Sequence, residues 1–149
     1  MFNFYIFLII SVLFSNELPK GFTPEEWLNR HTIEDMSRET DPPPGPIRNI
    51  SEFERMQGVL IRYPLGISTA IVSEMSEDIM VTTIVSSTGQ QNSVTNQYSS
   101  NGVNLNNCNF LIAPSNSYWT RDYGPWYIID GNQNLAIVNF PYNRPRPYD

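Results

Sequence analysis

The sequence has little sulfur, little imidazole and almost no lysine. Cys108 is its one cysteine and His31 its one histidine. No internal disulfide can form, and no Cys/His zinc set can be assembled from these two residues. Charge is also scarce: charged residues make up 16% of the chain, against roughly 25% in an average soluble protein. Eight of the nine cations are arginine, Lys20 being the exception, and fifteen acidic residues bring the net charge to −6. Nucleic acid is thereby excluded as the main partner, because phosphate binding needs a basic surface. No D-x-D-x-D-G run offers a calcium loop, and no repeat period is evident. What the chain does have is aromatics, at 13% of 149 residues. That length corresponds to one domain.

Residues 2 to 14, FNFYIFLIISVLF, are almost continuously apolar, and the first charged side chain is Glu17. The run is short for a membrane span. It has the length of a secretory h-region, although a basic n-region and an A-x-A-like cleavage site are missing. The expectation is a signal peptide over residues 1–16, which places the mature protein outside the cytoplasm: secreted, periplasmic or on the cell surface, and free of the membrane after cleavage. An uncleaved anchor and a buried strand are the alternatives.

Thr23-Pro24-Glu25-Glu26 predicts a helix start, with Thr as N-cap, Pro at the first helical position and Glu placed to reach back to the cap. This helix is expected to run to about Arg38. Four prolines within residues 42–46 then impose extended geometry, so residues 17–52 read as a helix followed by a stiff linker or wrapping segment. From Phe53 to residue 149 the pattern is α/β. Strands are expected over 58–63, 79–85 and 110–113, a helix over 67–78, and a polar helix or loop over 90–101. Two final strands, 126–129 and 135–140, are joined at Asp130-Gly131-Asn132, a good hairpin signal.

Twelve of the fifteen acidic residues precede residue 79, so the charges beyond it stand out. Residues 118–127 read YWTRDYGPWY, five aromatics around one Arg-Asp pair and a Gly-Pro turn. A carboxylate in an aromatic cup suits a planar cation: it accepts two parallel hydrogen bonds from a guanidinium, and ring faces cover the rest. The plainer reading is that Asp122 caps a turn and pairs with a neighbouring Arg while the rings fill core.

The run SYWTRDYGPW (117–126), with NNCNFLIAP before it and FPYNRPRP (140–147) after it, resembles the bacterial-type peptidylarginine deiminases of the agmatine deiminase family. The resemblance extends upstream through PPPGPIRNISEFERMQGVLIRYPLGI (42–67). It implies a pentein fold, five ββαβ blades of an α/β propeller around a central channel, of which this chain would supply the first blade and the start of the next. It also implies hydrolysis of arginine, at the C-terminus of a peptide, to citrulline and ammonia. A Cys thiolate attacks the guanidinium carbon, a His shuttles protons and two Asp carboxylates grip the nitrogens. No cofactor is implied. By position, Asp122 matches the first guanidinium-binding Asp and Trp119 an aromatic channel wall. Arg144 and Arg146 match a pair that faces the substrate's carboxylate, and the physics agrees, since two forked cations among prolines make a rigid clamp. A solvated basic pair is the alternative. Arg121 reads as structural, because a cation beside the substrate would repel it.

The family's His, second Asp and nucleophilic Cys have no match here. Cys108 reads as a buried free thiol, His31 as a surface residue and Asp130 as a hairpin-turn residue. One blade of an interlocked propeller leaves sheet edges and an apolar face open, so the expectation is the N-terminal portion of a longer enzyme, inactive alone. The partner would be an arginine-containing peptide or a small guanidino compound. Two other readings stand: an agmatine deiminase, and a catalytically dead module that binds arginine or peptide.

Overall fold

The computed structural model describes residues 18–36 and 40–149. The expected signal peptide and the end of the expected first helix lie outside the described residues. The chain forms two three-stranded sheets.

The first sheet is built from consecutive β-α-β units. Strand β2 (Gly58–Arg62) leads into helix α2 (Thr69–Asp78), then β3 (Met80–Val85), helix α3 (Thr88–Ser100) and β4 (Cys108–Ile112). All pairing is parallel, in the order β2-β3-β4, with Leu60 opposite Thr82 and Ile84 opposite Leu111. The middle strand is the most buried, and its alternation sends Val81, Thr83 and Val85 to one face. On that face Val81 and Val85 pack with Val72 of α2, Val94 and Tyr98 of α3, and Val103. Both helices therefore cover the same side, as two successive crossovers of one hand in a sequentially ordered sheet require.

Helix α3 settles the open choice at residues 90–101. Its composition is polar, but Ser87 caps it by accepting from Gln90 N at 3.2 Å, and Val94 and Tyr98, four residues apart, are both fully buried. The Tyr98 hydroxyl meets Thr83 Oγ1 at 2.9 Å, which satisfies two buried polar groups at once.

The second sheet is antiparallel, in the order β1-β5-β6, from β1 (Arg48–Asn49), β5 (Trp126–Ile129) and β6 (Leu135–Val138). The hairpin falls where Asp-Gly placed it. Asp130 accepts from Asn132 N, Asn134 N and Asn134 Nδ2 at 2.9, 2.8 and 3.2 Å, and these bonds, the one from Asn134 N first, hold its carboxyl below the ordinary range. The proline run wraps over this turn: Gly131 N donates to Pro44 O at 2.7 Å.

The first helix departs from expectation. It covers only Pro24–Asn29 (α1) and is followed by 3₁₀ turns at Arg30–Thr32 and Glu34–Met36. No residue of α1 is buried, so no tertiary packing propagates it. Side chains of Arg30, His31 and Thr32 bond the carbonyls of Trp27, Leu28 and Asn29 at 2.9, 3.2 and 2.8 Å, competing with the helical ladder.

A Cβ at Gly131 would run into the Gly45 carbonyl and meet Pro44 O at 3.0 Å. Both obstacles are backbone, so relief requires the proline run to lift. Gly131→Ala is expected to cost about 1–3 kcal/mol in chemical denaturation and to increase amide exchange at Gly131, whose hydrogen bond to the run would be lost.

Candidate functional site

The aromatic turn is a short helix, α4 (Thr120–Tyr123), pinned against the first sheet. Thr120 Oγ1 donates to Leu60 O of β2 at 3.1 Å. Asp122 N and Tyr123 N donate to Trp119 O at 2.9 and 3.2 Å, and Gly124 N to Thr120 O at 3.1 Å. Gly124, at φ +98°, lets the chain leave the helix, and Trp126 Nε1 returns to Asp122 O at 3.4 Å. The Asp122 carboxylate is exposed. Arg121, its neighbour, instead forms a surface ion pair with Glu52. No ion pair among the described residues includes Asp122.

Trp119 is half-buried, its ring 5.0 Å from that of Tyr118. Tyr118 in turn lies over Gly66, where a Cβ would meet its ring at 2.8 Å.

Two polar clusters fix the chain around this turn. In one, Arg62 is buried and donates from Nε to Ser115 Oγ at 2.7 Å. Asp149 accepts from Asn116 N, Ser117 N and Ser117 Oγ at 2.7, 3.0 and 2.5 Å. Tyr123 Oη donates to Ser117 O at 3.2 Å, and the Tyr123 ring meets Tyr142 edge-on at 5.8 Å.

In the other cluster, Arg144 and Arg146 flank Pro145, with Arg146 N bonded to Arg144 O at 2.8 Å. That i→i+2 closure around a residue of fixed φ holds the two together. The structure places Arg146 at 2% exposure, and its carboxylate partner comes from the chain itself: Nε donates to Glu26 Oε1 at 2.5 Å, and Nη2 to Gly21 O at 2.8 Å. The Arg144 guanidinium lies 4.1 Å over the Phe22 ring. Neither arginine is the solvated pair of the plainer reading.

Tyr142 is where these parts meet. Burial pushes its phenol up, while Arg146 and Arg144 pull it down and Asp122 and Asp149 raise it further. Of the residues singled out from the sequence, Arg146 lies against this ring, its guanidinium 6.0 Å from the centroid, and Arg144 is bonded to Arg146 through the backbone. Trp119 faces Tyr118, and its carbonyl accepts from Asp122 N. A cavity of about 320 Å³ opens beside Tyr142, lined also by Met36, Asn139, Phe140, Pro141, Pro147 and Asp149.

Cys108 is half-buried, less enclosed than expected because it begins an edge strand. Burial raises its thiol pKa, and its Sγ points to Asn104 O at 3.4 Å, so the unreactive thiol is favoured. His31 is exposed on its 3₁₀ turn. Among the described residues no three His, Cys, Asp or Glu side chains converge as metal ligands, and no helix is long and apolar enough to cross a membrane. Glu26, Phe22, Tyr142 and Asp149 escaped the sequence reading as parts of this region. An arginine inside the apolar run GVLIRY was the one visible signal for the Arg62 cluster.

No family model matches the chain. Among solved structures it is similar to the agmatine deiminase of C. jejuni, with a TM-score of 0.51 and 19% identity over 63% of this chain. The match spans 31% of that protein's length. At such identity the likeness concerns the fold, a mixed α/β architecture, and leaves chemistry to be argued from the site.

The bond from Arg146 holds the Glu26 carboxyl below its ordinary value of 4.5, helped by the bond from Thr23 N and by the Arg144 charge. A carboxylate with a depressed folded pKa contributes fully above its unfolded value, and the contribution fades as pH falls through the folded one. Glu26→Gln is expected to cost about 2 kcal/mol near neutrality, less than a fully buried pair, because Glu26 keeps 14% of its side-chain surface. In thermal unfolding at a series of pH values, the gap between the two proteins should narrow below pH 4.5.

Proposed function

We propose that this chain carries the guanidinium-binding portion of a guanidino-group deiminase acting on arginine at the C-terminus of a peptide. The observation that supports it best is the Asp122 carboxylate: exposed on an aromatic turn, beside an arginine paired elsewhere, with Arg146 against the Tyr142 ring and Arg144 bonded to it through the backbone. In this reading Asp122 takes the guanidinium nitrogens through paired charge-assisted bonds. Trp119 walls the alkyl stem, and Arg144 and Arg146 receive the carboxylate at the other end of the residue. The pentein propeller is the fold that accommodates this, and the likeness to an agmatine deiminase agrees with it. The thiolate, the proton-shuttling His and the second Asp would come from chain beyond these residues. Addition of the thiolate to the guanidinium carbon expels ammonia, and water then releases the ureido product. The apolar run at residues 2–14 would send the enzyme out of the cytoplasm.

A second reading, an agmatine deiminase, has its own support. A similar solved structure is that of an agmatine deiminase, and Arg146 already holds a carboxylate, which a substrate lacking one would leave undisturbed.

The test uses the full-length protein with agmatine and with a dipeptide ending in arginine. Asp122→Asn should lower kcat/KM on both by about 10²-fold or more, since a charged acceptor becomes a neutral amide with donors facing donors. Arg144→Ala should raise KM for the dipeptide while sparing agmatine, and Cys108→Ala should leave both rates unchanged. Equal losses on both substrates in Arg144→Ala, or a preference of the unaltered enzyme for agmatine, would transfer the assignment to the second reading.

A further inference from the structure

We propose that the segment from Gly21 to Glu26 is a built-in occupant of the Arg144/Arg146 site, a strap that must leave before an external carboxylate can bind there. That this carboxylate belongs to a substrate rests on the function proposed above; that the site binds carboxylate rests on the geometry alone. Arg146 is withdrawn from water and already grips a carboxylate, that of Glu26, at 2.5 Å. Its Nη1 and the Nε of Arg144 are buried donors with no partner among the described residues. Two guanidiniums that lie on the same short segment thus present more donors than it satisfies, and each unmet buried donor costs free energy. A ligand carboxylate set between the two arginines could use donors that Glu26 leaves idle.

The strap imitates such a ligand in a second respect. Phe22 lies on the Arg144 guanidinium at 4.1 Å, an apolar group beside the carboxylate. Its own moorings are slight: α1 is one and a half turns with no buried residue, and Phe22 otherwise stacks on the exposed Trp27 at 4.7 Å. Glu26 and the Gly21 carbonyl, both held by Arg146, and Phe22 on Arg144 join it to the body of the protein. Further along the same segment, Met36 walls the cavity beside Tyr142 and Asp149, so withdrawal would also open that space. The ligand class is a peptide or amino acid with a free α-carboxylate, in competition with the strap.

A site that is open in only a fraction of molecules shows affinity reduced by that fraction, and loosening the occupant restores it. The experiment measures, by calorimetry on the full-length protein, binding of the dipeptide glycyl-arginine and of its C-terminal amide. Glu26→Gln and Phe22→Ala should each lower the melting temperature yet bind the free acid on the order of tenfold more tightly, with affinity for the amide unchanged. A merely structural ion pair would give the loss of stability without the gain in affinity. If Arg144→Ala weakens the acid relative to the amide but neither strap variant tightens it, the strap is overturned and the clamp stands. If acid and amide bind alike in the unaltered protein and all three variants, the clamp itself is overturned, and the strap with it. Should Glu26→Gln fail to fold, Phe22→Ala decides, because Phe22 lies outside the buried core.

Discussion

A guanidinium held away from water needs acceptors close by, and for Arg146 that requirement ties the two ends of the described chain together. Arg146 reaches back 120 residues to Glu26. Glu26 is able to answer because the capping box has already oriented it: its Oε2 accepts from Thr23 N at 2.8 Å while Thr23 Oγ1 accepts from Glu26 N at 3.2 Å. A local device for starting a short helix thereby becomes the anchor of a long-range contact. Ion pairs of this burial add little net stability over a well-packed apolar pair. What this one does is fix position: Phe22 comes to rest on Arg144, and the segment beyond α1 passes over the cavity at Tyr142.

The second polar cluster does the same for the aromatic turn. Arg62 ends the strand that Thr120 is pinned to, and it reaches Ser115 on the approach to the turn. Asp149 gathers Asn116 and Ser117 from the other side. Between these two clasps, α4 needs almost no core of its own. It has no buried residue, yet its ends are held by β2, by Gly124 and by the return of Trp126. A short helix fixed from outside can afford to leave its one acidic side chain in solvent.

Local signals predicted local structure well. The strands of the first sheet, the capping box at Thr23 and the Asp-Gly hairpin are legible because period, caps and turn chemistry act within a few residues. The failures share a cause in tertiary context. The first helix is shorter than its strong start signals imply because none of its residues is buried, which the sequence does not disclose. The polar stretch at 90–101 reads as either helix or loop because two buried residues, Val94 and Tyr98, decide it. Asp122 and the arginine pair stand out in the sequence as motif residues. Glu26 was read only as a cap, because a contact between residues this far apart leaves no mark in periodicity.

Charge scarcity, the first thing the sequence shows, also explains why these pairings are unambiguous. Beyond residue 79 the acidic side chains are Asp122, Asp130 and Asp149, and the cations are Arg121, Arg144 and Arg146. Asp130 is consumed by its hairpin and Asp149 by the backbone at Asn116 and Ser117. Arg146 must therefore recruit its carboxylate from the acidic first half, and so must Arg121, which takes Glu52. With its neighbouring cation drawn off in this way, Asp122 keeps its charge unpaired among the described residues. A sequence richer in mobile lysines would quench such a carboxylate on the surface. The near-absence of lysine, together with the commitment of Arg121 to Glu52, preserves a free negative charge on an aromatic turn, which is the physical condition for receiving a cation from outside the chain.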